Sequence, residues 1–549
     1  RELEAVRRLD ENEDLFLREH ALGGRISRTD EALRPLSIVP LTVSMEILAE
    51  AAAALVPGRT LIGMKGIRAH RWIRVDEEPV TLHIHARGSA ASPEDVEVEI
   101  RTAANETPVI QGVMIFGDRY PEPPPLSEFS LESERVSRLA TTNLYEGGLM
   151  FHGRCFQGVT SVDLSGKDGV VGKLTVLPSE GLFRSTPRPR FVTDPVVLDA
   201  AGQLVGYWAA EYLDRGFVVF PYSVQALHIY GPHRPAGEPV TCRLRLRLMG
   251  TSQIRSDLDL IGADGRCWMQ LVGWEDKRFD VPEKFHRFWV APQETALGQA
   301  WQGPLARVPA AASFEGHRLE PFLPNGNAIW KDLWASLVLS RRERHSYRAQ
   351  PTSEWLLGRA AAKEAVRSFL KKHRGMDLLP ADIEIDSDER GRPVPTGPWA
   401  RGMASLPALS LCASDGVAVA IAGDPPAGLG LGIELEKLGR PTPEIEAIAF
   451  GAEERQLLAS LPDSASAEWV LRSWCAKRAI AKALVGETGH RFSQIRLREI
   501  DALTGVAKFS LEGELALLSP QLAGAPIVAY TSREGEYVFA GTACEAGSL

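Results

Sequence analysis

Long apolar runs are missing from this sequence. No stretch approaches the roughly 18 uninterrupted apolar residues that a membrane-spanning helix needs. The best candidate, residues 47–56, is alanine-rich and carries Glu50, so no membrane span is expected. Cysteine is scarce: six in 549 residues (Cys155, Cys242, Cys267, Cys412, Cys475 and Cys544), with no CxxC pair. Neither a zinc site nor a disulfide framework is indicated, and a reducing cytoplasm is the simplest compartment. Positive charge is in deficit, with Lys+Arg at 62 against Asp+Glu at 71 and a formal net charge of −9. General nucleic-acid binding needs a basic surface and is not expected here. An apolar leader is also missing: the chain opens on Arg1 with charged residues, which gives no signal peptide. The missing initiator Met suggests a segment of a longer polypeptide.

What is present is ordinary globular composition, 44% hydrophobic and 24% charged. At about 150 residues per domain, three to four folding units are expected. The first half reads as antiparallel strands. Val80, Leu82, Ile84 and Ala86 alternate with Thr81, His83, His85 and Arg87, and Val96, Val98 and Ile100 alternate with Glu97, Glu99 and Arg101. A helix is expected from Pro40 to about Val56, with Pro in its first turn. The run Pro121-Glu122-Pro123-Pro124-Pro125 is an extended bridge by composition. The plan then recurs. A helix is expected from Asp194 to Leu213, with Asp194 as N-cap and Pro195 at N1. An alternating strand follows at 240–248, then a hairpin over 258–274 turning at Ala263-Asp264-Gly265. Residues 1–275 thus read as two copies of a helix with an antiparallel sheet. A boundary is expected near 290–315, punctuated by Pro282, Pro292, Pro304 and Pro309. Beyond it the pattern is mixed, with helices expected at 326–340, 353–373, 442–460 and 465–485, and strands at 416–422, 430–437 and 526–542.

Three fragments of the first half carry candidate chemistry. His20 stands four residues before Gly24 and ahead of Val39-Pro40. Asp199 and Gln203 sit at i and i+4, on one helix face. Between them lies Phe151-His152-Gly153-Arg154-Cys155-Phe156-Gln157-Gly158. Asp199 stands among Val196, Val197, Leu198 and Leu204, and a carboxyl in an apolar interior tends to stay protonated. His83 and His85 share a strand face, but no third ligand stands nearby, so a solvated face is favoured over a metal site. His152 is weighed evenly between lining a binding cavity and serving only as part of a turn.

These fragments resemble the motifs of a polyketide-synthase dehydratase domain: a HxxxG…P element, a YGPxFQG-like element and a DxxxQ element, in order, over residues 1–287. The resemblance implies a double hotdog fold, with a first hotdog at about 1–120 and a second at about 133–287. It implies catalysis by His20, Asp199 and Gln203. It also implies a substrate tunnel touching Gly24, Pro40, Phe151, Phe156, Gln157 and Gly158. Two departures stand out: an insertion around Ser27–Pro35, expected to reshape the tunnel mouth, and Phe151-His152 and Arg154 in place of Tyr and Pro. Dehydration of a 3-hydroxyacyl thioester needs a base for the α-proton and an acid for the leaving hydroxyl. His20 suits the base, a protonated Asp199 suits the acid, and Gln203 would orient the latter. No cofactor is implied for this step.

Residues from about 315 resemble a phosphopantetheinyl transferase of the pseudo-dimeric, surfactin-activating type. The residues carrying the likeness are Trp355–Arg367, Gly391-Arg392-Pro393, Ser410–Ser414, Gly432-Ile433-Glu434-Leu435-Glu436 and Trp474–Lys482. If coenzyme A binding is retained, the resemblance places it on Arg359, Lys363, Arg392, Ser414, Lys477 and Lys482. If Mg²⁺ binding is retained, it falls on Glu434 and Glu436. The third metal ligand of that family is Arg478 here, a permanent cation, and the family's phosphate-contacting His is Ala413. Impaired transfer is expected. Arg359, Lys363, Arg367 and Lys371 are spaced as a basic ridge, which fits either an anionic partner or a solvated face.

The combined expectation is an α+β chain. A double-hotdog dehydratase (1–287) and a linker (288–314) precede a pseudo-dimeric α/β transferase-like domain (315–549). The partners expected are an acyl carrier protein domain, other domains of the same synthase and, in a homodimer, a second copy. Rival readings are an active self-priming transferase, a non-catalytic docking module and a product-template-type cyclase.

Overall fold

Residues 41–55, LTVSMEILAEAAAAL, form a helix that is apolar nearly all round, and such a helix needs covering on most of its circumference. The strands that follow alternate buried and exposed residues, so each offers one apolar face to it. The computed structural model describes residues 2–545 apart from 90, 91, 93, 104–106, 147, 214–216, 309–312, 324–327, 351, 426–428, 485–491 and 523. Arg1, Pro309 and the expected helix ends at 326–327 and 485 lie outside the described residues. Two compact units result: Arg1–Gly24 with Arg34–Val290, and Arg25–Leu33 with Ala291–Leu549.

In the first unit, strands β1 (Glu2–Leu9), β2 (Thr60–Ala69), β3 (Val80–Gly88), β4 (Asp95–Arg101) and β5 (Ile110–Gly117) accompany helix α1 (Leu41–Leu55). Strands β6 (Val159–Gly166), β7 (Gly169–Thr175), β8 (Phe217–Ile229), β9 (Pro239–Met249), β10 (Gln253–Ile261) and β11 (Cys267–Asp280) accompany helix α2 (Pro195–Tyr212). Together with the short strand Arg135–Val136 they form one sheet in the order β1-β3-β4-β5-β2-β8-β11-β10-β9-β7-β6 and then Arg135–Val136. This is a double hotdog: two sheet-wrapped helices, packed against each other, whose sheets join edge to edge at β2 and β8.

The seam is antiparallel, from Ser223 opposite Arg68 to His228 opposite Gly63. A Cβ at Gly63 would stand 2.5 Å from the Leu227 carbonyl oxygen, so the close approach there requires glycine. Asp194 caps α2 as expected, its carboxylate accepting from the Val197 amide at 3.1 Å. A second carboxylate fixes the approach to that helix: buried Glu46 of α1 accepts from the Val192 and Thr193 amides at 2.6 and 2.7 Å and from the Thr193 hydroxyl at 2.5 Å.

The second unit has two halves, each a helix on an antiparallel sheet. Helix α3 (Ser353–Arg374) packs on β12 (Phe314–Leu319), β13 (Ala408–Ser414) and β14 (Val417–Gly423). Helix α4 (Asp463–Leu484) packs on β15 (Leu429–Lys437) and on β19 (Tyr537–Glu545). The sheet under α4 runs β15-β19-β18-β17-β16, with β16 Ile495–Asp501, β17 Val506–Leu511 and β18 Ile527–Glu534.

Several expectations need correction. Within the expected linker 288–314, Gln299–Ala300 pairs with β12, and Leu305 is fully buried with Phe314, Ile433 and Phe539. Pro304, beside Leu305, is buried as well. Of the insertion expected around Ser27–Pro35 at the tunnel mouth, residues 27–33 group with the second unit, within the segment Arg25–Leu33. There Asp382 accepts from the Ser27 hydroxyl at 2.6 Å and from the Arg28 and Thr29 amides at 2.8 and 3.0 Å. The helix expected at 442–460 is two, Thr442–Ala449 and Ala452–Ala459. The break falls at Phe450-Gly451, where Glu454 accepts the Gly451 amide. The expected strand at 526–542 is the β18–β19 hairpin, turned at Gly535 with φ of 60°.

Candidate functional site

A cavity of about 500 Å³ opens in the first unit, between side chains of both hotdogs. His20, Pro40, Phe151, His152, Asp199 and Gln203 line it. Its wall includes the rings of Trp72, Phe220 and Phe279, which meet edge to face at 4.5 to 6.0 Å. On α2, Asp199, Gly202, Gln203 and Gly206 present one face to it.

His20 ends a short helical turn and is buried. Its Nδ1 donates to the Ile38 carbonyl at 2.7 Å, and an acceptor there places the proton on Nδ1 and the free lone pair on Nε2. Burial, and next the nearby His152, push its pKa down to about 4. The ring is neutral across the physiological range.

The sequence reading expects burial to keep Asp199 protonated. Burial acts to raise its carboxyl, but His152, His20 and the Gln203 amide outweigh burial and hold it below the ordinary carboxylate range. That direction favours the carboxylate over the protonated acid. His152 Nε2 lies 3.3 Å from Asp199 Oδ2, and Gln203 Nε2 donates to the same oxygen at 2.9 Å. Gln203 also donates to the Phe156 carbonyl at 2.8 Å and accepts from the Tyr145 hydroxyl at 2.7 Å. Tyr145 in turn accepts from the Val159 amide at 2.9 Å. The carboxylate is held by a chain of bonds that fixes its rotamer.

Among the other expected tunnel residues, Pro40 and Phe151 line the cavity, whereas Gly24, Phe156, Gln157 and Gly158 do not. Gly24 is exposed. Phe156 is fully buried, edge-on to the His20 ring at 5.6 Å, and supports that ring. Gln157 donates to the His152 carbonyl at 2.9 Å. Gly158 lies against α2, where a Cβ would approach Ala200 Cβ to 2.8 Å. His83 and His85 stay on the outer strand face, His85 against Glu2 at 2.6 Å.

Sequence reasoning missed Tyr145, Glu46 and Asp276. Tyr145 sits in an aperiodic segment that offers no signal. Glu46 had one, an acid in a mostly apolar helix that carries only one other, Glu50. Asp276 lines the cavity on β11, and burial pushes its pKa up to about 8. His20, His152 and Asp199 also bring one ligand atom each within 4.8 Å of one another, compact enough to hold a metal ion.

In the second unit, Glu434 is fully buried at the centre of a cationic cluster. Lys482 Nζ stands 2.9 Å from Oε2 and Arg478 Nη1 3.4 Å from Oε1. Cys412 donates to Oε1 at 2.6 Å. Burial would raise this carboxyl, but Lys482 and Arg478 hold it low. Glu436 pairs with Arg440 at 2.7 Å. These carboxylates already face the fixed positive charges of Arg478, Lys482 and Arg440, a setting that does not fit a divalent cation.

The coenzyme residues divide. Arg392 and Lys482 line a cavity of about 220 Å³ with Ser410. Ser414 donates to Asp415 at 3.0 Å. Arg359 faces Glu343 at 3.6 Å and covers the Trp355 ring. Lys363 and Lys477 are fully buried. Lys363 is paired with Glu343 and bonded to the Val338 carbonyl at 2.8 Å, and Lys477 is paired with Glu454 at 2.7 Å. The expected basic ridge is thus no open surface. Lys363 points inward, Arg367 is nearly buried 3.5 Å from Glu364, and Lys371 meets Asp377 at 3.2 Å. Ala413 lies against Gly358 of α3, where a Cβ would stand 3.4 Å from it.

Comparison with known proteins adds to this geometry. The model of the polyketide synthase dehydratase N-terminal domain matches residues 132–285. The model of the 4'-phosphopantetheinyl transferase superfamily matches residues 430–527. A polyunsaturated fatty acid synthase polypeptide of Thraustochytrium sp. (strain ATCC 26185 / S-3) is 24% identical over 250 residues, covering 44% of this chain and 8% of its own length. Among solved structures, the dehydratase domain of RzxB from Pseudomonas fluorescens is 16% identical, covers 50% of this chain and 93% of its own, and gives a TM-score of 0.39. The dehydratase domain of PpsC from Mycobacterium tuberculosis, solved with C12:1-CoA, is 20% identical, covers 51% and 94%, and gives 0.38.

Proposed function

On a chain in which a polyketide synthase dehydratase domain precedes a 4'-phosphopantetheinyl transferase superfamily domain, we propose that the first domain eliminates water from a 3-hydroxyacyl thioester carried by an acyl carrier protein. The observation that carries this reading is the meeting of His20, from the first hotdog, with Asp199 and Gln203, from the second, in one largely apolar cavity. His20 Nε2 takes the proton α to the thioester carbonyl. Its neutrality and its bond to Ile38 keep the lone pair available in one orientation. Asp199, with Gln203, receives the β-hydroxyl and aligns the breaking C–O bond. The aromatic wall accommodates the acyl chain and excludes water from the reacting carbons. No redox step occurs, and no cofactor is required by this chemistry. A cytoplasmic location, a carrier-protein partner and pairing with a second copy go with this reading.

The second domain, on the same proposal, keeps the transferase fold without efficient phosphopantetheine transfer. Arg478 against Glu434 supports this, since a guanidinium takes the place in which the family needs a metal ligand. Incubating the chain with a 3-hydroxyacyl thioester and following loss of water by mass spectrometry tests the first claim. Absence of a 2-enoyl product would rule it out.

A further inference from the structure

Three buried polar atoms at one wall of the cavity take no part in the chemistry above. Asp276 and Trp274 of β11 line the cavity, 2% and 1% exposed. Two residues apart on one strand, they share a face. That face meets α2: a Cβ at Gly202 would stand 2.6 Å from the Trp274 ring. Gly202 follows Asp199 by three residues, a rise of about 4.5 Å along the helix. Asp276 Oδ2 and Trp274 Nε1 complete no hydrogen bond among the described residues, though the indole is close enough to act on the carboxyl. Ser256 of β10 stands opposite Trp274, is 1% exposed, and its Oγ is likewise unpartnered. Buried polar atoms are seldom left so, because each has given up water for nothing.

We infer that Asp276 and Trp274 form a specificity subsite for one further polar group of the substrate, a group that both accepts and donates a hydrogen bond. The inference rests on the dehydratase reading above. The group accepts from the indole N–H of Trp274 and donates to Asp276 Oδ2; a carboxyl oxygen accepts in either charge state. No covalent bond is made or broken there. A thioester on a carrier protein has two sources of such a group: a second hydroxyl farther along the acyl chain, and an amide of the pantetheine arm. A substrate with neither at this point buries both side chains unpaired. A site built around a hydrogen bond discriminates strongly against a ligand that lacks it.

Other polar groups of the wall compete poorly for it. Tyr222 already donates to Glu275 at 2.9 Å. Gln253, Lys277, Arg68 and Arg71 are exposed, so they exchange one hydrogen bond to water for another and gain little from a substrate. Phe220 and Phe279 offer only rings. Asp276 and Trp274 differ from these in being buried and unpaired, so a partner there replaces nothing.

The test uses the full chain and two pairs of 3-hydroxyacyl thioesters. In the first pair, both on pantetheine, one acyl chain is plain and the other carries a second hydroxyl, placed at successive carbons beyond the reacting ones. In the second pair, one plain acyl group is carried on pantetheine and on butanethiol, which has no amide. The parent should favour the polar member of one pair by at least about tenfold in kcat/KM. Asp276→Leu, and Trp274→Phe, which keeps a ring against Gly202, should bring that ratio within about threefold. Collapse in the first pair assigns the subsite to the acyl chain; collapse in the second assigns it to the arm. Ratios in both variants equal to the parent's overturn the inference, as does a parent without preference in either pair. If the parent removes water from none of the four, the dehydratase reading falls; the same ratios, read as dissociation constants by calorimetry, still decide the subsite. If Asp276→Leu does not fold by circular dichroism, Trp274→Phe is read alone by the same criteria.

Discussion

The His20 and His152 rings touch edge to face, yet one is bonded to the Ile38 carbonyl and the other lies against the Asp199 carboxylate. Like side chains in one cavity thus face unlike neighbours, and most of the expected chemistry follows from that contrast.

The first consequence is a displaced acid limb. With the His20 pKa near 4, kcat/KM for a 3-hydroxyacyl thioester should hold down to about that pH instead of falling near the ordinary imidazole value of 6.5. His20→Ala should lower the rate about 10² to 10⁴-fold. The sign for stability is the reverse of a paired histidine. The folded pKa lies below the unfolded one, so His20 favours unfolding as pH falls from about 6.5 to about 4. Rate profiles and thermal melts across that range measure both effects.

Tyr145→Phe should weaken the site without removing a reacting group. The lost hydroxyl frees Gln203 Oε1 and leaves the Val159 amide without its acceptor. A stability loss of about 1–3 kcal/mol is expected for a buried donor so exposed. A drop in kcat larger than any rise in KM should accompany it, because the loosened group is Asp199. Steady-state kinetics beside a urea melt would measure the two.

Asp276 predicts a pH effect of opposite sign to that of His20. Burial raises its folded pKa to about 8 from an unfolded value of 3.8. The folded state therefore holds a proton that the unfolded state has lost, and stability drains away as pH rises from about 4 to about 8. Asp276→Asn should remove that slope and melt higher than the parent at pH 8. A parent and variant with parallel melting curves over this range would contradict it.

For the second unit, incubation with coenzyme A, Mg²⁺ and an apo carrier protein should leave the carrier unmodified. Arg478→Glu should restore measurable Mg²⁺ binding by calorimetry, since it replaces the cation 3.4 Å from Glu434 with a ligand. Full transfer should not return, because Ala413 still lacks the phosphate contact. Robust labelling by the unmodified chain would defeat the reading.

Much of the fold was legible where one face of an element meets an apolar layer. The period-two runs at 80–86 and 96–100 lie within β3 and β4, and Asp194-Pro195 marks the start of α2. His20, Asp199 and Gln203 could be nominated from ordered motifs. What the chain order hides is which charges meet in space. The i, i+4 spacing of Arg359, Lys363 and Arg367 shows a shared helix face but not whether it is covered. Glu343, from the unexpected helix Arg341–Ala349, turns that face inward. For Asp199 the sequence shows the apolar neighbours that raise a carboxyl but not the His152 imidazole that acts against them in space. A run of prolines at 292–309 resembled a spacer, since composition does not reveal that Leu305 has a core to enter.

The edge-to-edge joint between β2 and β8 has a practical consequence. Residues 121–125 lie between the two hotdogs, outside any strand. His20 belongs to the piece before them; Tyr145, His152, Asp199 and Gln203 belong to the piece after. Cutting the polypeptide there would yield two fragments, each with its own helix and sheet and each inert. Mixed together, they would regain turnover only by re-zipping the Gly63–Leu227 edge, at a rate rising with the product of their concentrations. On the activity proposed above, turnover would then report fragment complementation.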